Sequence, residues 1–259
     1  MSNGYAFGEG DLPAQRLELL AEVFETPSRE FLEGAVADLP GVALDLGCGP
    51  GATTRMVAAA TGARHTIGVD ASDDFIARAR SKAPPGVEFV RHDVTRLPLP
   101  GAPADLIYAR LLLAHLPDPA RHVAGWMTQL STGGRLLVDE NDVIEANHPA
   151  LTRYEEIVSA VVGSRGAHLA AGAVVDALEG GDGWRRESST GRDWLVPEPV
   201  AARMFAMNLA TWRDHQHATQ HYDGRELDRL AADLAAIANA PDDGNVRWRL
   251  RQVVFVRTS

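Results

Sequence analysis

An aspartate and three closely spaced glycines interrupt an apolar run early in the chain. The segment VALDLGCGPGATT places Asp45 just before Gly47 and Gly49. Because glycine weakens strands and helices alike, the segment predicts a strand, a sharp loop and then a helix. Gly47, Gly49 and Ala52 satisfy the spacing G-x-G-x-x-[GA], which is typical of loops that bind nucleotides. The alternative interpretation is a tight turn that holds no ligand.

Two further acids follow the next strand-like segments. Asp70 ends the strand of HTIGVDAS, and Asp93 follows the strand of VEFVRHDV. Ligands of open parallel sheets bind at the carboxyl ends of the strands, where an acid can accept hydrogen bonds from a ribose. Asp93 lies at the same edge and can accept a hydrogen bond from an adenine amino group. Asp45 would repel a pyrophosphate, so the pattern favours a nucleoside-bearing ligand with a positive charge over a dinucleotide.

The elements that must position these acids alternate between strand and helix patterns over residues 41–142. Strands are predicted in GVALDLG, HTIGVDAS, VEFVRHDV, ADLIYARL and GGRLLVDEND, with helices between them. This alternation predicts the α/β class, with a doubly wound, mostly parallel sheet. Residues 12–39 predict two helices, the second with Thr26 as N-cap and Pro27 at its first position.

The regular alternation stops after residue 145. Helices are predicted in HPALTRYEEIVSAVVG, AHLAAGAVVDALEG, PEPVAARMFAMNLATWRDHQH and GRELDRLAADLAAIANA. WRRESSTGRDWLV and the closing RWRLRQVVFVRTS are predicted as strands. We therefore expect a helical N-terminal lid over residues 1–40 and a main domain over 41–259. Cap helices would be inserted in that domain at about 145–180 and 198–240.

Composition narrows the class of protein. The chain has 259 residues, a formal net charge of −10 and one cysteine, Cys48, which cannot form an internal disulfide. The acidic balance argues against nucleic acid as a partner. The N-terminal segment lacks a secretory signal pattern, and no apolar stretch approaches the roughly 20 residues of a membrane span. We expect a cytoplasmic protein, monomeric or homodimeric, that binds neither nucleic acid nor membrane.

Five segments resemble, in order and spacing, the motifs of class I S-adenosylmethionine-dependent methyltransferases. They are VALDLGCGPG, IGVDAS, VEFVRHDVTRLPLP, ADLIYARLLLAHLPDP and GGRLLVDE. The likeness is greatest to the small-molecule branch, with its ubiquinone/menaquinone-type and trans-aconitate-type enzymes. It implies a Rossmann-like, seven-stranded sheet with an antiparallel last strand. It also implies S-adenosylmethionine as cofactor, S-adenosylhomocysteine as product, and an oxygen or nitrogen of a small-molecule (metabolite or natural-product) acceptor as the methylated atom.

The resemblance also implies which residues surround the cofactor. Asp45 and the glycines would line its methionine part, Asp70 its ribose and Asp93 its adenine. Tyr5 and Arg16 would belong to the lid, with Arg16 near the cofactor carboxylate. The implied cofactor residues are Tyr5, Arg16, Asp45, Gly47, Cys48, Gly49, Asp70, Ala71, Ser72, His92, Asp93, Val94, Ala109, Arg110 and His115.

Candidates for the chemistry itself are fewer. His115, after the fourth strand, is either a general base or a histidine that only orients the backbone. Glu140, Trp212 and His217 are candidate contacts of the acceptor. His217 and His221 have an i,i+4 spacing that can bind zinc, but no further ligand pattern accompanies them, so no metal is predicted. Cys48 is expected to pack in the loop rather than act as a nucleophile.

Two rival functions remain open on the sequence alone. A nicotinamide-dependent oxidoreductase would need the glycine loop to accept a pyrophosphate, which Asp45 disfavours. A protein that binds the cofactor without transferring its methyl group would keep the same motifs. The motifs specify the cofactor far better than the acceptor.

Overall fold

The strands at the centre of the chain form one sheet, as the alternating pattern predicts. The computed structural model describes residues 10–36, 38–164, 166–241 and 244–259. The strands are β1 (Val42–Leu46), β2 (His65–Asp70), β3 (Val87–Arg91), β4 (Ala104–Arg110), β5 (Leu130–Glu145), β6 (Gly180–Gly181), β7 (Trp184–Pro197) and β8 (Asn245–Arg257). They are arranged in the order β3-β2-β1-β4-β5-β8-β7-β6.

The helices alternate with the first strands and then cluster in the second half of the chain. They are α1 (Asp11–Val23), α2 (Glu25–Ala35), α3 (Ala52–Thr61), α4 (Asp73–Arg80), α5 (Pro119–Met127), α6 (Pro149–Gly163), α7 (Ala171–Asp176), α8 (Glu198–Trp212), α9 (Gln216–His221) and α10 (Gly224–Ala238). A short 3₁₀ helix, Leu113–His115, follows β4. None of the helices in the described ranges is both long and apolar enough to cross a bilayer.

The sheet confirms the predicted class and corrects the strand count. Strands β1 to β5 pair in parallel, and β8 runs antiparallel between β5 and β7. The sheet therefore has eight strands over the described residues, not the seven expected. The additional strand, β6, has only two residues, Gly180–Gly181, paired with Arg185 and Trp184. Two glycines give no side-chain alternation, so no sequence pattern could reveal this strand.

The order of the strands places a ligand crevice between β1 and β4. From β1 the chain proceeds to β2 and β3 on one side, and to β4 and β5 on the other. Such a reversal leaves an opening at the carboxyl ends of the central strands. Strand β1 is buried on both faces, as is typical of a parallel strand covered by helices, and it ends at Leu46 beside this opening.

The N-terminal helices differ in detail from the prediction. Helix α2 begins at Glu25 and not after Thr26, and no side chain caps it. The preceding residue, Phe24, is 1% exposed and meets Trp248 edge-on at 5.6 Å between ring centroids. Burial of this aromatic ring fixes the position of the helix start, so tertiary packing overrides the local capping signal.

The second-half helices pack over one end of the sheet. Helices α6 and α7 lie in the chain between β5 and β6, while α8, α9 and α10 lie between β7 and β8. Residues of α6, α8, α10 and β8 share one hydrophobic core. The predicted helix in AHLAAGAVVDALEG is reduced to the six residues of α7. The assignment of a lid and inserted caps stays a prediction.

Candidate active site

The glycine loop folds back over the end of the neighbouring strand. The backbone nitrogens of Gly47 and Cys48 donate hydrogen bonds to the Val69 carbonyl at 2.8 and 3.0 Å. Gly47 has φ 69°, and a Cβ there would lie 2.8 Å from Leu112 Cδ1. Only glycine suits this backbone and this spacing, so the loop leaves β1 in a tight turn beside the crevice.

Asp70 joins the glycine loop to the start of α4. Its Oδ2 accepts a hydrogen bond from the Gly49 nitrogen and its Oδ1 one from the Ser72 nitrogen, each at 2.9 Å. Ser72 in turn caps α4 by accepting from the Phe75 nitrogen at 3.2 Å. A carboxylate oxygen can accept more than one hydrogen bond. Asp70 therefore shapes the loop and lines the cavity beside it.

Asp93 lies at the same edge, after β3. Its Oδ1 accepts hydrogen bonds from the Thr95 nitrogen at 3.0 Å and from the Thr95 hydroxyl at 2.7 Å. Although burial opposes the change, these bonds and the Arg96 charge lower the pKa of Asp93. Asp93 is therefore ionised at neutral pH. Val94, buried next to it, lines the same cavity.

Asp45 does not lie on the cavity surface, contrary to expectation. Its side chain is buried beneath the glycine loop, where Oδ2 accepts a 2.7 Å hydrogen bond from the Thr54 hydroxyl. Burial raises the pKa of Asp45 to about 7, against the opposing effects of Thr54 and Arg110. Asp45, which the sequence analysis placed against the ligand, therefore supports the glycine loop through its hydrogen bond with α3.

Strand β4 ends in a turn that brings Arg110 and His115 to the cavity. The Arg110 guanidinium donates to the Thr53 hydroxyl at 3.0 Å and to the Ser28 hydroxyl at 3.4 Å. These bonds tie the end of β4 to the start of α3 and to α2. Ala109, one residue earlier, is fully buried within the strand.

Glu140 is the largest departure from the predicted site. It was a candidate contact of the acceptor but is fully buried. Its Oε1 accepts hydrogen bonds of 2.7 Å from the backbone nitrogens of both Leu112 and Leu113. Burial raises the pKa of Glu140 to about 8, although these hydrogen bonds oppose the rise. Glu140 holds the turn before His115 and does not reach the acceptor space.

The other two predicted acceptor contacts also lie elsewhere. Trp212 is fully buried in the hydrophobic core, with its ring 6.1 Å from that of Tyr154. His217 lies on α9 and stacks on His221 at 4.1 Å, away from the cavity lining. Within the described residues no group of three histidine, cysteine, aspartate or glutamate side chains is placed to hold a metal ion. Cys48 is buried, and burial raises the pKa of its thiol well above the usual range.

One cavity of about 1570 Å³ connects these elements. The predicted residues that line it are Arg16, Gly47, Cys48, Gly49, Asp70, Ala71, Ser72, His92, Asp93, Val94, Arg110 and His115. The predicted residues that do not line it are Asp45, Ala109, Glu140, Trp212 and His217. Tyr5 and Phe7 lie outside the described residues.

The cavity continues beneath α6 and α8 into a region that we call the inner chamber. Its named side chains are Asn141, Tyr154, Glu155, Phe205, Asn208 and Trp248. None of these six is among the candidate contacts of the acceptor named from the sequence. Asn208, alone in the apolar run MFAMNLA, was a signal that could have been used, because buried polar side chains need partners.

Comparison with known proteins agrees with this geometry. Residues 43–134 match the family model of a methyltransferase domain. The chain is 32% identical to trans-aconitate 2-methyltransferase of Rhizobium rhizogenes over 123 residues, 47% of each protein. It is 36% identical to the enzyme of that name from Methylobacterium radiotolerans over 116 residues, 45% of this chain and 44% of that protein. The match covers about half the length of these relatives.

Solved structures show the same fold at low sequence identity. Coclaurine N-methyltransferase bound to N-methylheliamine and S-adenosylhomocysteine has a TM-score of 0.51 and 15% identity, with 99% of this chain and 77% of that one covered. The [4+2]-cyclase SpnF has a TM-score of 0.51 and 20% identity, with 90% and 81% covered. The fold alone therefore does not decide the reaction. Together with the domain match, the comparisons confirm the resemblance to class I S-adenosylmethionine-dependent methyltransferases of the small-molecule branch.

Proposed function

We propose that this chain transfers a methyl group from S-adenosylmethionine to an oxygen or nitrogen of a small-molecule acceptor. The observation that carries the proposal is the continuous cavity, which joins the carboxyl ends of β1 to β4 with the inner chamber. The first part of the cavity is lined by the glycine loop, Asp70 and Asp93. The inner chamber is lined by aromatic side chains and a few polar ones. A donor and an acceptor can therefore meet at one place inside the protein.

The residues present fit the cofactor. Asp70 lines the cavity at the end of β2 and is assigned to the ribose, while Asp93 and Val94 line it at the end of β3 and are assigned to the adenine. Gly49 has φ 51°, and a Cβ there would lie 3.2 Å from Leu17 Cδ1, so a larger residue would crowd the loop against α1. Arg16, 4% exposed on α1, lines the same cavity and supplies a positive charge for the cofactor carboxylate.

The bound cofactor supplies a methyl group that is already activated by a sulfonium charge. This chain positions the methyl donor and the acceptor and excludes water. Alignment of the two reactants contributes most of the catalysis in such reactions. Helices α1, α6 and α8 cover the cavity. His115 stands on the 3₁₀ helix at its border, as an orienting or proton-accepting group.

The comparisons lend no support to the nicotinamide-dependent alternative, since the matched family model and curated relatives are methyltransferases. Asp70 accepts a hydrogen bond from the Gly49 nitrogen and so places a negative charge beside the glycine loop, which disfavours a pyrophosphate there. We infer in addition a cytoplasmic monomer or homodimer without a nucleic-acid partner, on the acidic charge of −10 and the single cysteine. The lid over residues 1–40 belongs to the same proposal, supported by the position of Arg16.

Calorimetry with S-adenosylhomocysteine and with NAD tests the cofactor. We expect binding of S-adenosylhomocysteine and none of NAD; the reverse result would overturn the proposal. Transfer of a labelled methyl group to a panel of small-molecule acceptors then separates an enzyme from a binding protein. A chain that binds the cofactor and labels no acceptor in a broad panel would support the binding-protein alternative.

A further inference from the structure

We propose that the inner chamber receives an amine, carried on an apolar or aromatic body, and that Glu155 binds its ammonium group. The inference rests on the proposed function, because it names the class of acceptor for the same cavity. Glu155 also takes a proton from the bound ammonium group. In that step one N–H bond breaks, one O–H bond forms on the carboxylate, and the nitrogen keeps the electron pair needed to accept a methyl group.

Glu155 is an acid in the cavity, and one of its oxygens has no hydrogen-bond partner among the described residues. It lies on α6, half-buried, and its side chain lines the cavity. Its Oε1 is buried and receives no hydrogen bond from any residue that the structure describes. Burial, with a smaller contribution from the nearby Glu145 charge, raises the pKa of Glu155 to about 8. A buried carboxylate without a counter-charge is unfavourable, and a positively charged ligand would remove that cost.

The adjacent glutamate shows the contrast. Glu156 is exposed and forms a surface ion pair with Arg153 at 2.8 Å. Two neighbouring residues of one helix thus have opposite surroundings, because successive helical side chains point in different directions. Arg16 lines the same cavity from α1, but it lies near Tyr154 and is assigned above to the cofactor carboxylate. Among the named side chains of the inner chamber, Glu155 is the acid.

Three aromatic side chains line the same cavity as this acid. The rings of Tyr154 and Phe205 stack at 4.2 Å with 15° between their planes. Phe205 lies 5.7 Å from the ring of Trp248, and all three side chains line the cavity. Aromatic faces attract cations and bury apolar surface. An ammonium group on an apolar body satisfies both requirements.

A second acceptor atom faces the same space. Asn141 lines the cavity, and its Oδ1 is buried without a hydrogen bond from the described residues. An ammonium group carries several N–H donors and no acceptor. Its N–H donors suit the acceptor oxygens of Asn141 and Glu155, whereas an ionised polycarboxylate such as trans-aconitate brings negative charge and no N–H donor. The chamber thus selects against the acceptor that the name of the curated relatives suggests.

The test compares three probes on the wild-type chain saturated with S-adenosylhomocysteine. Calorimetry measures the affinity of 2-phenylethylamine, of 2-phenylethanol and of trans-aconitate. We expect the amine to bind at least about tenfold more tightly than the alcohol, because only the amine pairs with a carboxylate. Equal affinities for amine and alcohol, or tighter binding of trans-aconitate, would overturn the proposal. A failure to bind S-adenosylhomocysteine would instead overturn the proposed function.

Variants then assign the effect to one side chain. Glu155→Gln keeps size and removes charge, and Glu156→Gln is its surface control. We expect Glu155→Gln to remove the preference for the amine while the affinity for S-adenosylhomocysteine changes less than about twofold. Glu156→Gln should behave as wild type. An amine preference that survives in a folded Glu155→Gln protein would show that another group recognises the amine.

Discussion

The backbone nitrogen of Leu113 donates a 2.7 Å hydrogen bond to the buried carboxylate of Glu140. The same Oε1 also accepts from Leu112, and Leu111, at φ 51°, donates its backbone N–H to the Asp139 carbonyl. Strand β5 thus fixes the turn that leads from β4 to His115. A strained turn persists only where its surroundings hold it, and here the holding group is an acid that has no access to solvent.

Replacing Glu140 should therefore destabilise the fold according to what replaces it. Glu140→Ala leaves two buried N–H groups without an acceptor, at a cost of about 1–3 kcal/mol each. Glu140→Gln keeps the accepting oxygen and should lose much less. Urea unfolding followed by circular dichroism measures both. If glutamine proved as damaging as alanine, the hydrogen bonds would not explain the role of the carboxylate.

The raised pKa values of buried acids predict how stability depends on pH. Burial raises the pKa of Glu140 to about 8 in the folded protein, against its ordinary value of 4.5 in the unfolded chain, so between these values the folded state binds more protons. The stability that Glu140 contributes by holding this proton is therefore fully present below about pH 4.5. It is lost as the pH rises through 8, with a slope of up to about 1.4 kcal/mol per pH unit. Asp45 acts in the same direction between 3.8 and about 7.

The variant Glu140→Gln isolates this contribution from that of other titrating groups. Its free energy of unfolding, compared with that of wild type at several pH values from 5 to 8.5, should fall less steeply. Parallel curves for the two proteins would show that Glu140 does not change its protonation in that range.

The sequence predicted the parts of the fold whose signals are local. Alternating patterns over residues 41–142 located β1 to β5, and the spacing from the glycine loop to Asp70 placed two groups that are indeed joined by a hydrogen bond. Both follow from strand periodicity and from the topology of parallel sheets. The packing of Cys48 inside the glycine loop was also predicted, because it depends on the local geometry of that loop.

What the sequence left undetermined depends on packing between distant segments. The segment VDEND contains neighbouring acids and amides, and periodicity does not say which of them turns beneath the β4 turn and which lines the cavity. In the structure Glu140 does the first and Asn141 the second. Likewise, only the docking of α6 and α8 shows that Trp212 is core while Glu155 faces the chamber.

A matched pair of glycine substitutions tests the conformation of the loop. Gly51 has φ 86°, and a Cβ there would lie 2.7 Å from the Phe89 ring. Gly51→Ala should therefore cost more than about 1 kcal/mol. Gly34, exposed in α2 with nothing within 4 Å of its Cβ position, is the control, since alanine is a better helix former. Gly34→Ala should leave the melting temperature unchanged or raise it; a loop that tolerated alanine equally well would contradict the described turn.

A variant of His115 distinguishes an orienting role of this side chain from a proton-accepting role. Removal of a general base lowers turnover by about 10²–10⁴-fold. Because Glu155 already supplies a base in the inner chamber, we expect His115→Ala to lower kcat less than about tenfold for an amine acceptor. Rates of methyl transfer at saturating cofactor and acceptor measure this. A loss of 10²-fold or more, with unchanged affinity for S-adenosylhomocysteine, would assign proton transfer to His115.

Asp70 should matter for cofactor affinity more than for folding. Asp70→Ala removes a charged acceptor from the ribose side and should weaken binding of S-adenosylhomocysteine by about 1–3 kcal/mol. Asp74→Ala is the control, because this acid also lies at the start of α4 but pairs with Arg78 at 2.9 Å on the surface. Calorimetry on both variants makes the comparison.

The Asp70 carboxylate also accepts a hydrogen bond from the Gly49 nitrogen, so the melting temperature of each variant must be measured with the affinity. Unchanged affinity in a folded Asp70→Ala protein would remove Asp70 from the cofactor site.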